Sequence, residues 1–309
     1  MAVDTAPAPA ATGRRAKAAR DQDAWRRRVP LLPALVFAVI VTQLPFLLTL
    51  WYSLQSWNLV RPGSREFVGL SNYIYVFSDS QFRGAALNTI LITGLCVLVA
   101  MALGIGLALL LDRQFVGRGV ARTLLITPFL VMPVAGALLW KTTMFDPVFG
   151  IVNFVLGPFG AGETDWVSQY PVTAVVAALV WQWTPFMMLL VLAGLQAQSR
   201  DVLEAAQVDG ATSWRTFASI TLPHLRRYML GVLLGTIYVV NTFDQIDMIT
   251  QGGPGTASSN LPFYIYQRAF LGFDIGQAAA MGVVVVAGTI IVATLTLRLI
   301  FTSFTVEES

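Results

Sequence analysis

Six apolar blocks, each long enough to cross a bilayer, constrain this chain more than any other feature. They run roughly Leu31–Leu54, Ala86–Leu111, Thr123–Phe145, Val172–Leu195, Tyr228–Ile249 and Ala278–Phe301. A hydrocarbon core needs about 20 consecutive apolar residues when crossed by a helix. The blocks are continuously apolar rather than alternating, which excludes membrane barrel strands and leaves the helix as the spanning form. Charged residues make up 12% of the chain, about half the share that coats a soluble domain. The expected fold class is all-α: a polytopic membrane protein with six transmembrane helices. A water-soluble enzyme is excluded.

Composition removes further chemistries. The chain has one cysteine, Cys96, and one histidine, His224, so it can build neither a disulfide framework nor a Cys/His zinc site. No metal site is expected. Of the two lysines, Lys17 follows Ala16 and Lys141 follows Trp140, so neither completes the Gly-Lys-Ser/Thr end of a phosphate loop. His224 sits beside Pro223 in a polar loop rather than opposite a serine in a span, which leaves no Ser-His dyad for an intramembrane hydrolase.

Orientation follows from the basic residues. One side receives Arg14, Arg15, Lys17, Arg20 and Arg26 to Arg28, then Arg113, Arg118, Arg122, Arg200, Arg215, Arg226, Arg227 and Arg298, fifteen in all. The other side receives Arg61, Arg65, Arg83, Lys141 and Arg268. Both termini are therefore expected in the cytoplasm. Residues 1–30 read as a disordered, basic cytoplasmic tail, and 302–309 as a short cytoplasmic one. The Leu31 block follows a basic run as a secretory signal would, but it is too long for one and lacks a small-residue cleavage site. It reads as an uncleaved helix, with the basic run setting topology and attracting headgroups. Pro45, Pro128, Pro133 and Pro185 fall inside spans and are expected to kink them.

The fifth block is unusually polar. Two aspartates at a helix centre cost together about 5 to 7 kcal/mol on insertion scales. As one helix, Asn241, Asp244, Gln245 and Asp247 would share a broad polar face, which should meet water, another helix or a pathway rather than lipid. Two readings of Asp247 stand: a solute contact, or a hydrated residue just before the Gly252-Gly253-Pro254 turn. The fourth block places Trp181, Trp183 and Phe186 around Pro185, either as packing aromatics or as faces on which a sugar ring stacks. Intramembrane carboxylates also admit an ion-coupled carrier using Asp244 and Asp247.

The loop between the fourth and fifth blocks, residues 196–227, is patterned as structure. Asp201 and Glu204 form a capping-box-like helix start. Asp209-Gly210 stops that helix, and Thr212 or Ser213 caps a second one carrying Trp214, Phe217 and Ile220 on one side. Pro223 is expected to break it. The pair would either lie on the membrane surface or form a knob for a cytoplasmic partner, with Ala205, Ala206 and Ala211 permitting close approach.

Here the chain resembles a known family. Glu204-Ala205-Ala206, Asp209-Gly210-Ala211, Phe217, Ile220, Leu222 and Pro223 are similar to the EAA loop of ABC-importer permeases. The stretch Asn241 to Gly255, with Phe243-Asp244, Thr250 and Gly252-Gly253-Pro254, resembles the carbohydrate-type members, the maltose/glycerol-phosphate/polyol group. Leu261 to Tyr266 and Phe273 to Ala280 fit the same group. The resemblance implies a type I importer permease core over 31–301, in the bacterial cytoplasmic membrane. It implies a coupling role for Glu204, Ala205, Ala206, Asp209, Gly210, Ala211, Trp214 and Phe217. It implies solute contacts at Trp183, Phe186, Val239 and Thr242, to which Asn241, Asp244 and Asp247 are added from the polar face. The implied partners are a second homologous permease, two ATP-binding subunits and an extracytoplasmic solute-binding protein. ATP and Mg would sit on the partner subunits, with no cofactor in this chain, no catalytic residue and no nucleic-acid partner.

Overall fold

A computed structural model of the chain describes residues 29–61, 63, 65–160, 163–225 and 230–302. The basic run up to Arg28, the C-terminal tail from residue 303, and Arg226, Arg227 and Tyr228 at the expected start of the fifth span lie outside the described residues.

Long apolar helices form where the sequence places them. Helix α1 spans Leu32–Ser53 after a 3-10 turn at Val29–Leu31. A two-stranded antiparallel ribbon follows, β1 Gln55–Ser56 against β2 Glu66–Phe67, then a short helix α2 at Ser71–Ser78. Helix α3 runs Ser80–Asp112, six residues longer at its start than the apolar block, because Asp79 caps it by accepting the Gln81 N–H at 3.0 Å. The fourth block becomes α8, Pro171–Gln196, and the sixth becomes α14, Ile275–Thr302. Pro45 and Pro185 are absorbed inside α1 and α8 without ending them.

Two blocks differ from the single spans expected. The third is split into α4, Arg118–Leu130, and α5, Pro133–Leu139, which a wide π-turn extends through Met144. The halves meet at 100°. Val131 and Met132 are extended at the break, as a residue preceding proline must be. Leu125 and Ile126 of α4 pack near Met188 and Leu192, whereas Ala137 and Phe145 pack near Ala174 and Ala178. The halves thus serve opposite ends of α8, on either side of the break. Between the two lie the short helices α6, Ile151–Leu156, and α7, Trp166–Gln169, which lead into α8.

The fifth block is broken as well. Helix α12 spans Leu230–Val240, the chain opens at Asn241 to Phe243, and a π-turn covers Ile246–Thr250. Asn241, Asp244 and Asp247 therefore do not share the face of one helix. Side chains hold the interruption: Asn241 Nδ2 donates to the Ile237 carbonyl at 2.8 Å, and Asn260 Nδ2 donates to the Thr242 carbonyl at 2.6 Å. By length and composition the described residues contain four membrane-length helices, or five when α4 and α5 are taken as one passage.

The core is the packing of α3 on α8, with α4, α12 and helix α13 (Leu261–Tyr266) around them. Ile92 and Cys96 meet Val175 and Leu179 towards one end; Ala108 and Leu111 meet Met188 and Leu192 towards the other. Gly104 lies where the helices approach most closely, since a Cβ there would stand 2.9 Å from the Met187 Cβ. Helix α1 is different: it packs on α14, and none of its apolar window is buried.

Candidate functional site

Two regions hold the residues singled out from sequence. The first is the loop at the C-terminal end of α8. Helix α9 spans Arg200–Val208, with Ser199 in the N-cap position and no side-chain cap bond. The expected capping box from Asp201 to Glu204 is therefore not formed: the helix begins two residues earlier, which puts Asp201 inside the first turn, where its charge favours the helix N-terminus. The stop is as read. Gly210 takes φ +77°, its N–H reaches the Gln207 carbonyl at 3.0 Å, and the Ala211 N–H reaches that of Ala206 at 2.9 Å. This pair of bonds is a Schellman closure, which needs a left-handed residue that glycine adopts without strain.

Thr212 caps the next helix by accepting the Arg215 N–H at 3.3 Å. That helix starts as α10, Ser213–Thr216, widens into a π-turn at Phe217–Thr221, and resumes as α11, Leu222–Leu225. Pro223 consequently does not break it. The wide turn, in which the Leu222 N–H bonds the Phe217 carbonyl, makes room for a ring that would clash in a regular α-turn.

Ala206 is buried beneath the loop, while Glu204, Ala205, Asp209 and Gly210 are exposed and Ala211 and Phe217 half-buried. Val208 and Trp214 present 87% and 75% of their surface, and the Trp214 ring lies 5.8 Å from that of Phe217. The loop is thus a preformed two-helix knob whose outer surface joins apolar side chains to carboxylates. Exposure of this kind marks a contact surface.

The second region is where the two broken segments meet α8. Gln182 and Gln245, both buried, exchange a 2.6 Å bond from Gln245 Nε2 to Gln182 Oε1. Gln182 Nε2 donates to the Val131 carbonyl at 3.2 Å, at the break in the third passage. Gln245 Oε1 accepts from the Thr242 hydroxyl at 2.9 Å, at the break in the fifth. One run of hydrogen bonds ties both interruptions to α8, satisfying groups that a membrane interior cannot. Sequence reasoning missed this pair; the signal was two glutamines inside apolar blocks.

Beside it stands an aromatic cluster. Trp183 lies 5.7 Å from Phe129, 5.7 Å from Phe186 and 5.8 Å from Tyr238, and Phe129 stacks on Phe186 at 5.4 Å. Tyr238 is exposed, and Asn241 is exposed one turn further along the chain. Together they form an open ledge of ring faces and an amide at the break. Trp183, Phe186, Thr242, Asp244 and Asp247 are half-buried. Val239 is not part of the ledge: it is 1% exposed within the core beside Ile92 and Val175, because one residue turns the helix by about 100° and so takes it off the Tyr238 face of α12. Among the described residues no group of three or more acidic, histidine or cysteine side chains gathers as a metal site would require.

Residues 103–302 match the family model described as binding-protein-dependent transport system inner membrane component. A probable ABC transporter permease of Sinorhizobium fredii is 38% identical over 253 residues, covering 81% of this chain and 82% of that one. The trehalose/maltose transport system permease MalF of Thermococcus litoralis is 35% identical over 256 residues, covering 81% of this chain and 86% of that one. In fold, the chain is similar to a bacterial ABC transporter involved in the import of the acidic polysaccharide alginate. The TM-score is 0.77 at 21% identity, over 93% of this chain and 99% of that one.

Proposed function

The chain belongs to the binding-protein-dependent transport system inner membrane components, and on that premise we propose that it conducts a sugar, oligosaccharide or polyol into a bacterial cell. It is a permease subunit and not itself an enzyme. It pairs with a second homologous permease, takes solute from a binding protein outside, and is driven by two ATP-binding subunits, which carry the ATP and Mg, inside. The six passages count the broken third and fifth segments as one crossing each. Both termini and the 199–225 loop lie in the cytoplasm, in keeping with the fifteen basic residues placed on that side.

The observation that carries this reading is the 199–225 knob. Val208, Trp214 and Glu204 stand outward on two helices locked by the Schellman turn, a shape suited to a groove on an ATP-binding subunit. Alternation between inward and outward openings requires parts that rotate against the bundle. The broken α4/α5 and α12 segments supply such joints. The ledge of Tyr238, Trp183 and Asn241 is the solute contact, its ring faces stacking on sugar C–H surfaces and its amide pairing with hydroxyls. Asp244 and Asp247 border it. The ion-coupled alternative would leave the knob without a purpose and is not retained.

Co-purification in mild detergent tests the reading. ATP-binding subunits should accompany the wild type and be lost or uncoupled in Glu204→Lys and Gly210→Pro. Purification alone, with ion-driven uptake in ATP-free liposomes, would overturn it. ATPase stimulation by sugars and polyols then identifies the solute class.

A further inference from the structure

The polarity of the segment joining the third and fourth passages is turned inside out. From Pro147 to Gly162 the sequence holds no charged residue. Phe149, Phe154 and Phe159 are 87%, 85% and 83% exposed. The polar groups face inward instead. Asn153 is buried, and its Nδ2 donates to the Pro147 and Thr164 carbonyls at 3.0 and 2.9 Å while its Oδ1 accepts the Trp166 indole N–H at 2.6 Å. Asp146 accepts the backbone N–H groups of Val148 and Phe149 at 2.9 and 2.8 Å, which holds its carboxyl below the usual range. Asp165 caps the short helix α7 by accepting from Ser168. The loop is thus folded around one amide, with its three phenylalanines directed outward while Val152 packs against the core. A cleft of about 470 Å³ opens beside Phe149, Ile151 and Phe154, and Asn153 and Glu163 also line it.

Connectivity says what surrounds it. The segment starts where the third passage ends at Phe145 and finishes where α8 begins at Pro171, so both its ends lie at the bilayer boundary. Trp166 and Tyr170, with ring centroids 5.6 Å apart, stand at the entrance to α8 and are the residue types that collect at headgroup depth. An outward apolar surface at that level meets acyl chains. A soluble protein that docks and leaves needs a surface about as polar as the rest of a protein's exterior, which a run without a single charge does not offer.

We propose that residues 147–160 are a monotopic lipid anchor. It seats Phe149, Phe154 and Phe159 among the acyl chains of the leaflet opposite the 199–225 loop. The anchor holds α5 in place while the break at Val131–Met132 leaves α4 free to move. The inference rests on the chain crossing a membrane and stands whatever the solute is.

The test uses the assembled complex in lipid nanodiscs. Phe154→Cys, Phe159→Cys and Val155→Cys each receive an NBD label, with the exposed Glu66→Cys on β2 as the polar control; Cys96 is fully buried and stays in place. Lipids carrying doxyl groups on the acyl chain should quench the three loop labels about threefold more than the control, as an interfacial segment requires. Aqueous iodide should show the reverse order. Addition of the solute-binding protein should change neither. Iodide quenching of the loop labels equal to that of Glu66→Cys would overturn the proposal. So would shielding that appears only with the binding protein, or labels that neither quencher reaches.

Discussion

At the scale of the residue, two side-chain arrangements carry more than the sequence announced. Gln182 and Gln245 hold both chain breaks through buried amides. Gln245→Leu strands the Gln182 carbonyl and the Thr242 hydroxyl, and a buried unpaired polar group costs about 1–3 kcal/mol. Replacing both glutamines by leucine removes the donor and acceptor together and should cost less than the sum of the single changes. Thermal unfolding of the four proteins of that cycle reads the difference, and strict additivity would show that the two amides do not act as a pair. Asp146 and Asp165 make the second arrangement, each held below the ordinary carboxylate value, Asp146 by backbone N–H groups and Asp165 by Ser168 first. For a depressed carboxyl, the stabilising contribution is present above the unfolded-state value of 3.8. It is lost as pH falls through the lower folded-state value. Protection factors of the Phe149 and Ser168 amides, which discount the intrinsic pH dependence of exchange, should therefore fall below the ordinary carboxylate range while those of the α8 amides hold. Equal loss in both places would contradict it.

At the scale of the element, the sequence was legible where length and apolarity decide. Blocks such as Leu31–Leu54 and Val172–Leu195 became α1 and α8 nearly residue for residue, because a hydrocarbon environment leaves the backbone no alternative to a helix. It was less legible where a distant side chain substitutes for a helical hydrogen bond. Nothing local to Thr242 predicts a break; the carbonyl it frees is taken by Asn260, eighteen residues away. Pro223 misled for a similar reason, since the π-turn that admits it depends on how Phe217 to Thr221 pack. Within the 199–225 knob the Gly210 stop and the Thr212 cap were readable because they are local, whereas the helix start and the fate of Pro223 were not. At Gly210 a Cβ would meet nothing within 4 Å, so substitution there acts through the backbone alone, costing a β-branched residue about 1–2 kcal/mol in the left-handed conformation. Gly210→Val should weaken ATPase coupling, and Gly210→Asn, whose residue type tolerates that conformation, should retain most of it. Equal ATPase rates in both variants would mean the turn geometry is irrelevant to coupling. Trp214→Ala leaves the turn intact and should lower co-purification of the ATP-binding subunits by removing exposed surface that only a partner would cover.

At the scale of the whole molecule, the knob and the lipid-facing loop sit at opposite ends of α8, whose 26 residues span about 39 Å. This separation explains why the site was only partly readable. The knob is one contiguous stretch, whereas the ledge draws Phe129, Trp183, Tyr238 and Asn241 from three segments that only packing brings together. Tyr238 was overlooked because, read along the chain, it is one more residue in an apolar block; Val239 beside it was chosen and lies in the core. The same separation makes orientation testable. Arginine and lysine retained on one side predict that the knob lies with the ATP and the 147–165 segment lies outside. Asp209→Cys and Glu163→Cys replace exposed, charged side chains at the two ends. In intact cells a membrane-impermeant maleimide should label only Glu163→Cys, and in inside-out vesicles only Asp209→Cys. Each variant labels on one side or the other, so absence from one preparation is checked by presence in its counterpart. The reverse pattern would place the knob away from the nucleotide and remove the physical route by which ATP binding on a partner moves α8.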